Sequence, residues 1–289
     1  MIVIVEKIQQ FLTDTIQKYD FQGVVVGISG GIDSALVAGL CTRALGNEKV
    51  FGLLMPERDS ATDTLEDSIL VCRHFQIPYR VKKISPILRK MGVYRLQPPA
   101  QLFPRRIQEA YVRNKWESVG TEDTYLANLR GQGSKEFMRG VAYSRAKHRT
   151  RMCCLYLEAE QKGYAVVGTT NRTEMLTGLY VKWGDDSVDI EPLLHLYKRQ
   201  VFQLAKDIGV PDRIIQKPPT PDLVPGITDE FAFRMTYEEL DRILEKITEG
   251  GDLNSEDPAK VGRVQTIMEY ASKFKMRNVR MPIDQEERG

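Results

Sequence analysis

A chain of 289 residues has room for one large or two modest domains around a sizeable core. Its 41 Lys and Arg nearly balance its 39 Asp and Glu, and a net charge of +2 gives no global reason to bind nucleic acid. No apolar run reaches the eighteen or so residues of a membrane span, the first six residues lack the basic lead of a signal peptide, and the four cysteines show no CxxC spacing, so a cytoplasmic protein with reduced thiols is expected.

Residues 4–19 carry Ile8, Phe11, Leu12 and Ile16 at helical spacing and predict an amphipathic helix. The apolar run Val24-Val25-Val26 predicts a buried strand. It is followed by Gly27-Ile28-Ser29-Gly30-Gly31-Ile32-Asp33-Ser34, and then by a helical pattern that Gly46 stops near Leu45. Strand, glycine turn and helix start together aim backbone N–H groups at one spot, and such a spot binds phosphate. The glycines allow close approach, Ser29 and Ser34 add hydroxyls, and Asp33 can hold a metal on the phosphates. No Lys follows the second glycine as a Walker loop requires, and the glycine spacing is not that of a dinucleotide fingerprint.

A second strand is expected at 49–54, a polar loop at 55–60, a helix at 63–75 and a third strand from Pro78 to Val81. Residues 84–140 break the pattern with Pro98-Pro99, Pro104-Arg105-Arg106 and Gly131-Gln132-Gly133; only 111–116 reads as helical there. From 85 to 151 basic residues outnumber acidic ones, which suits either a polyanionic substrate or a solvated basic face. Residues 145–162 predict a helix with Met152, Leu155, Tyr156 and Ala159 on one face, and Cys153-Cys154 inside it. A fourth strand is expected at 164–168, turning through Thr169 and Asn171 into another helix. Further helices are expected at 198–208, 237–247 and 261–274, with loops at 182–186, 216–229 and 250–258. Alternating strands and helices imply an α/β doubly wound parallel sheet flanked by helices, with its ligand beyond the carboxyl ends of the strands. His74 and His195 read as structural or exposed.

The Ser29–Ser34 loop resembles the SGGxDS loop of the ATP pyrophosphatases, whose fold is adenine nucleotide α-hydrolase-like. Five further blocks follow in register. They are Arg149-Thr150-Arg151-Met152; Gly168-Thr169-Thr170-Asn171-Arg172-Thr173-Glu174; Lys182-Trp183-Gly184-Asp185 with Asp189 and Pro192; Leu196-Tyr197-Lys198; and Lys217-Pro218-Pro219-Thr220 leading to Thr228-Asp229-Glu230. With these the whole chain, 1–289, resembles one ammonia-dependent NAD synthetase domain carrying a basic insertion at about 84–140.

The resemblance implies a reaction in two steps. The nicotinate carboxylate of deamido-NAD attacks the α-phosphate of ATP, and ammonia then displaces AMP from the adenylate. It implies that Ser29, Gly30, Gly31, Asp33, Ser34, Met55, Ser60, Thr169, Lys198 and Thr220 bind ATP, with Asp33, Glu174, Lys198 and Thr220 carrying catalysis and Asp33 and Glu174 holding Mg²⁺. Arg149, Lys182, Asp185 and Lys275 would bind deamido-NAD across a homodimer interface, and 216–229 would correspond to a lid. No second catalytic domain for glutamine hydrolysis is visible, so free ammonia is the expected donor.

Three departures fall on the acceptor side. Arg145 stands where the family has Asn, Phe274-Lys275-Met276 stands where it has His-Lys-Arg, and the segment before the Arg149 block is long. Two other readings stay open at this point: a related ATP pyrophosphatase that amidates or thiolates another acceptor, and a non-catalytic nucleotide-binding protein.

Overall fold

Four parallel strands in the order β3-β2-β1-β4 form the centre of the molecule in a computed structural model that describes residues 2–97, 123–218 and 228–274. They are β1 (Gly23–Gly27), β2 (Val50–Leu54), β3 (Tyr79–Val81) and β4 (Tyr164–Val167). β1 pairs with β2 through Val25↔Phe51 and with β4 through Val25↔Val166. The chain winds one way from β1 to β3 and returns to the other side of β1 with β4. The loops after β1 and β4 therefore diverge at a topological switch point, where doubly wound sheets bind ligands.

Helices cover both faces, and the alternation of β1 shows how. Val24 and Val26 pack with α1 (Ile2–Lys18), α2 (Ile32–Leu45) and α8 (Lys198–Asp207). Val25 packs on the opposite side with Leu88 of α4 (Ser85–Lys90) and Tyr143, Cys154 and Ala159 of α6 (Lys135–Lys162). All three valines are completely buried, as a strand covered on both faces requires. Between β2 and β3 lies α3 (Thr62–His74).

A third apolar cluster sits beside the sheet. It joins α5 (Thr124–Arg130), α10 (Asp229–Phe233), α11 (Tyr237–Glu249) and α12 (Pro258–Phe274) around Phe233, Leu240 and Val264. Two short helices complete the described α-helices, α7 (Arg172–Thr177) after β4 and α9 (Asp212–Ile215) after α8.

The structure corrects the sequence reading in places. α6 starts at Lys135, ten residues before the expected point, because Ser134 caps it by accepting from Phe137 N at 3.1 Å. Parts of the unassigned 84–140 segment form α4 and α5, while 111–116 lies outside the described residues. Asp229, expected to end a loop, begins α10, whose Thr228 side chain caps Phe231 N at 3.2 Å. Cys154 is buried in α6 and Cys153 exposed; both are free thiols.

Candidate functional site

The loop after β1 turns at Gly30, where φ is +76°. A Cβ there would stand 2.8 Å from the Thr64 carbonyl and 2.9 Å from Asp67 Cβ, so both the backbone angle and the approach to α3 call for glycine. The two serines fold the loop on itself. Ser29 N donates to Ser34 Oγ at 3.2 Å, Ser34 Oγ donates to the Gly31 carbonyl at 3.0 Å, and Gly31 N donates to Ser29 Oγ at 3.3 Å. The loop ends at the N-terminus of α2, whose first N–H groups have no helical partner and attract an anion.

Opposite this loop, the start of α7 is held by a reciprocal cap. Asn171 Oδ1 accepts from Glu174 N, and Glu174 Oε2 accepts from Asn171 N, both at 3.0 Å. Asn171 Nδ2 then reaches across to Asp33 Oδ1 at 3.0 Å. Lys198, the first residue of α8, sits between the two acids, 2.5 Å from Asp33 Oδ2 and 3.8 Å from Glu174 Oε1. A cation at a helix N-terminus opposes the dipole. Here the carboxylate of Asp241 on α11 answers it, accepting from Arg199 N at 2.7 Å and from Thr173 Oγ1 at 2.5 Å, while Thr173 Oγ1 accepts from Lys198 N at 2.9 Å.

The electrostatics follow from burial and charge. Burial first, and then the neighbouring Asp33, push the Glu174 carboxyl up to about 8. Burial would lower the Lys198 ammonium, but Asp33 and Glu174 outweigh it and hold the lysine charged. Asp229 also faces this cluster: burial raises its carboxyl, Tyr237 OH donates to its Oδ2 at 2.7 Å, and its Oδ1 has no hydrogen-bond partner among the described residues.

These groups line one side of a cleft of about 400 Å³. Of the residues expected to bind ATP, Ser29, Gly30, Gly31, Asp33, Ser34, Met55, Ser60, Thr169 and Lys198 all lie on its wall, as does Glu174. Thr220 and Lys275 lie outside the described residues. On the expected acceptor side Asp185 lines the cleft, whereas Arg149 and Lys182 do not; Arg149 is exposed and its Nη2 donates to the Lys182 carbonyl at 3.1 Å. Arg145, His148 and Arg151 form that wall instead. Asp189 has a structural role: it accepts from Val166 N at 2.7 Å and from Tyr156 OH at 3.1 Å. His74 and His195 stay out of the cleft wall.

The β2–α3 loop that carries Met55 and Ser60 is pinned from below. Lys147 of α6, 2 % exposed, lies 2.7 Å from Glu57 Oε1 and 3.0 Å from Asp59 Oδ2. Tyr94 OH donates to the other Glu57 oxygen at 2.9 Å, and Tyr143 OH and Arg58 both donate to Asp59. Asn171, Lys147, Asp229 and Asp241 were not marked as site residues by the sequence. Asn171 and Asp229 stand inside the motif blocks without a role assigned to them, and Asp241 falls with Tyr237, Leu240 and Leu244 on the apolar stripe of its helix.

The arrangement is that of a phosphate cradle with two acids and a lysine beside it and a separate basic wall opposite. The NAD synthase family profile matches residues 4–116 and 112–278. The chain is 56 % identical to the NH(3)-dependent NAD(+) synthetase of Thermotoga maritima over 270 residues, which cover 93 % of this chain and 96 % of that one. With the enzyme of the same name from Coprothermobacter proteolyticus it shares 41 % identity, covering 85 % and 84 %. Among solved structures, NMN synthetase from Francisella tularensis superposes with a TM-score of 0.74 at 25 % identity, over 97 % of this chain and 98 % of that one. NH3-dependent NAD synthetase from Campylobacter jejuni does so with a TM-score of 0.69 at 27 % identity, over 96 % and 98 %.

Proposed function

The chain belongs to the NAD synthase family, and from that premise we propose that it amidates deamido-NAD to NAD, splitting ATP to AMP and pyrophosphate and taking free ammonia as donor. The observation that carries this reading is the convergence of Asp33, Glu174 and Lys198 on the open end of the glycine loop. Binding alone does not call for two carboxylates and a lysine there, whereas transfer at an α-phosphate does.

The residues present divide the work. Backbone N–H groups and the serine hydroxyls of the loop receive the β- and γ-phosphates, which leave as pyrophosphate. Lys198, kept charged by its neighbours, offsets the charge that develops on them. Thr169 and Met55 line the nucleotide side of the cleft. The substrate carboxylate is the nucleophile, so no activated Ser or Cys is required. Catalysis is positioning and charge neutralisation.

The donor set suits Mg²⁺. Two hard carboxylates, Asp33 and Glu174, already bracket one positive charge, and phosphate oxygens and water complete the shell that Mg²⁺ prefers. Mg²⁺ so held would neutralise phosphate charge and polarise the α-phosphate. A homodimer that completes the acceptor site, with Arg149, Lys182 and Lys275 contributing to it, belongs to the same proposal. So does phosphate contact by Thr220. Among the described residues no helix is long and apolar enough to cross a membrane.

Purified protein with Mg-ATP, ammonium and deamido-NAD should yield AMP, pyrophosphate and NAD in equal amounts. No AMP with any acceptor would remove the enzyme reading, and AMP only with another acceptor would remove NAD synthesis. Asp33→Ala should lower turnover by ~10²-fold or more, as loss of a preorganised electrostatic group does. Glutamine should not replace ammonium, and light scattering should give twice the chain mass.

A further inference from the structure

His148 is the histidine that enters the cleft, and nothing in the reaction scheme above uses it. It projects from α6, and its Nδ1 lies 3.4 Å from Asp185 Oδ1. That oxygen is fixed in turn by Val181 N, which donates to it at 2.7 Å. Helix and loop meet closely here, since a Cβ on Gly184 would stand 3.0 Å from His148 Cβ. The second ring nitrogen, Nε2, is buried and has no hydrogen-bond partner among the described residues. A buried polar nitrogen left without a partner costs free energy and calls for a ligand or a function.

An imidazole with one nitrogen against a carboxylate, the other without a partner, and its ring on the cleft wall is an oriented base. Donation from Nδ1 to Asp185 leaves the lone pair on Nε2. The 3.4 Å separation is long, as such contacts are before substrate binds. The charged groups that share its wall are Asp185 from the loop after α7 and Arg145 and Arg151 from its own helix. The arginines hold no free lone pair. Burial pushes the Asp185 carboxyl up, but His148 and the Val181 N–H pull it below its ordinary range, so Asp185 stays ionised and orients the ring.

At neutral pH the nitrogen donor is ammonium, which has no lone pair with which to attack. Resting on the function proposed above, we propose that His148 Nε2 takes the proton from ammonium in the second half-reaction. The N–H bond breaks, its electron pair stays on nitrogen, and ammonia forms a C–N bond to the acyl carbon of the adenylate. The C–O bond to AMP then breaks and AMP leaves with that electron pair. The imidazolium returns its first proton to water and accepts the second, which the new amide nitrogen sheds. One ammonium thus yields one amide, AMP and two protons.

The test separates the two half-reactions. His148→Asn keeps a donor toward Asp185 and lacks the base; His148→Gln is the second variant. Pyrophosphate release from Mg-ATP and deamido-NAD without ammonium reports the first step and serves as the folding control. Measured against their own first step, the variants should lose roughly 10²-fold in NAD formation from ammonium at neutral pH, the usual weight of a positioned base. The loss should shrink to less than about tenfold at alkaline pH, where solution supplies ammonia directly. Neutral-pH NAD formation within about threefold of wild type in a variant that keeps the first step overturns the proposal, as does an equal loss of both steps in both variants. A wild-type protein that makes no NAD from ammonium refutes the proposed function instead.

Discussion

Lys147→Met tests how the nucleotide side of the cleft is held. The substitution conserves much of the volume and removes the charge. It leaves Glu57, whose side chain is 2 % exposed, and Asp59, 11 % exposed, without the ammonium 2.7 and 3.0 Å away. Removing one partner of a buried ion pair costs about 3–5 kcal/mol, because the other charge stays buried. The lower end applies here, since Tyr94 still donates to Glu57 and Arg58 to Asp59. A loss of about 3 kcal/mol should lower the thermal midpoint by roughly 6–12 °C in a chain of this size. The loss also has a pH signature. Burial raises the Asp59 carboxyl, but Arg58, Lys147 and Tyr143 outweigh it and bring it below 3.8. A lowered folded pKa stabilises above the unfolded value, and that contribution fades as pH falls through the folded value. The variant should therefore lose less stability on acidification than wild type. Urea unfolding at several pH values measures both effects, and the triple change Lys147→Met, Glu57→Gln, Asp59→Asn should recover part of the loss. A Lys147→Met protein within about 1 kcal/mol of wild type at neutral pH would refute the claim that this pair pins the loop.

Gly30→Ala should cost about 1–3 kcal/mol, from a positive φ and a Cβ pressed on Thr64 O, and should raise the KM for ATP; an unchanged KM would contradict the cradle role. Asp241→Asn turns one acceptor of a completely buried group into a donor, facing Thr173 Oγ1 or Arg199 N. It should cost about 1–3 kcal/mol in urea unfolding and slow turnover by displacing Lys198; a stable, fully active variant would remove Asp241 as the support of α8.

The strand–loop–helix unit around Ser29 was legible because its chemistry is local. Glycines, hydroxyls and the helix start are contiguous, and their effect does not depend on remote residues. Asp33 and Lys198 are 165 residues apart and meet only because β1 and β4 are neighbours in the sheet, an outcome the motif blocks anticipated and local pattern alone did not. Glu174 shows why a local reading can be incomplete. As an acid in a first helical turn it is a plain cap, and the structure gives it that job through Oε2 while Oε1 serves the site. Within the expected helix, no burial was assigned to Lys147 or Arg145, yet one is buried in an acid nest and the other lines the cleft. Met152 and Leu155, expected together on one face of that helix, both line the cleft. For Lys147 and Arg145 the polar partner of the side chain lies on another element.

Glu174→Gln follows from the charge balance of the phosphate end. Asp33, Glu174 and Asp229 gather around a single lysine that is itself buried. Two carboxylates that share one ammonium cannot both ionise at their ordinary values, and it is Glu174 whose carboxyl is pushed up to about 8. The sign is opposite to that of Asp59. A raised carboxyl makes the folded protein bind more protons than the unfolded chain, so metal-free stability falls as pH rises from 4.5 to about 8. Glutamine keeps an oxygen to accept from Asn171 N and carries no charge to bury. The metal-free variant should therefore lose that slope and gain at least about 1 kcal/mol at slightly alkaline pH. It should also lose turnover and the stabilisation that Mg²⁺ gives the wild type. Thermal unfolding with chelator and then with Mg²⁺, across that pH range, measures both halves of the expectation. A variant less stable than wild type without metal at alkaline pH would show that Glu174 is held as an ordinary structural cap, and that its ionisation carries no cost for function to repay.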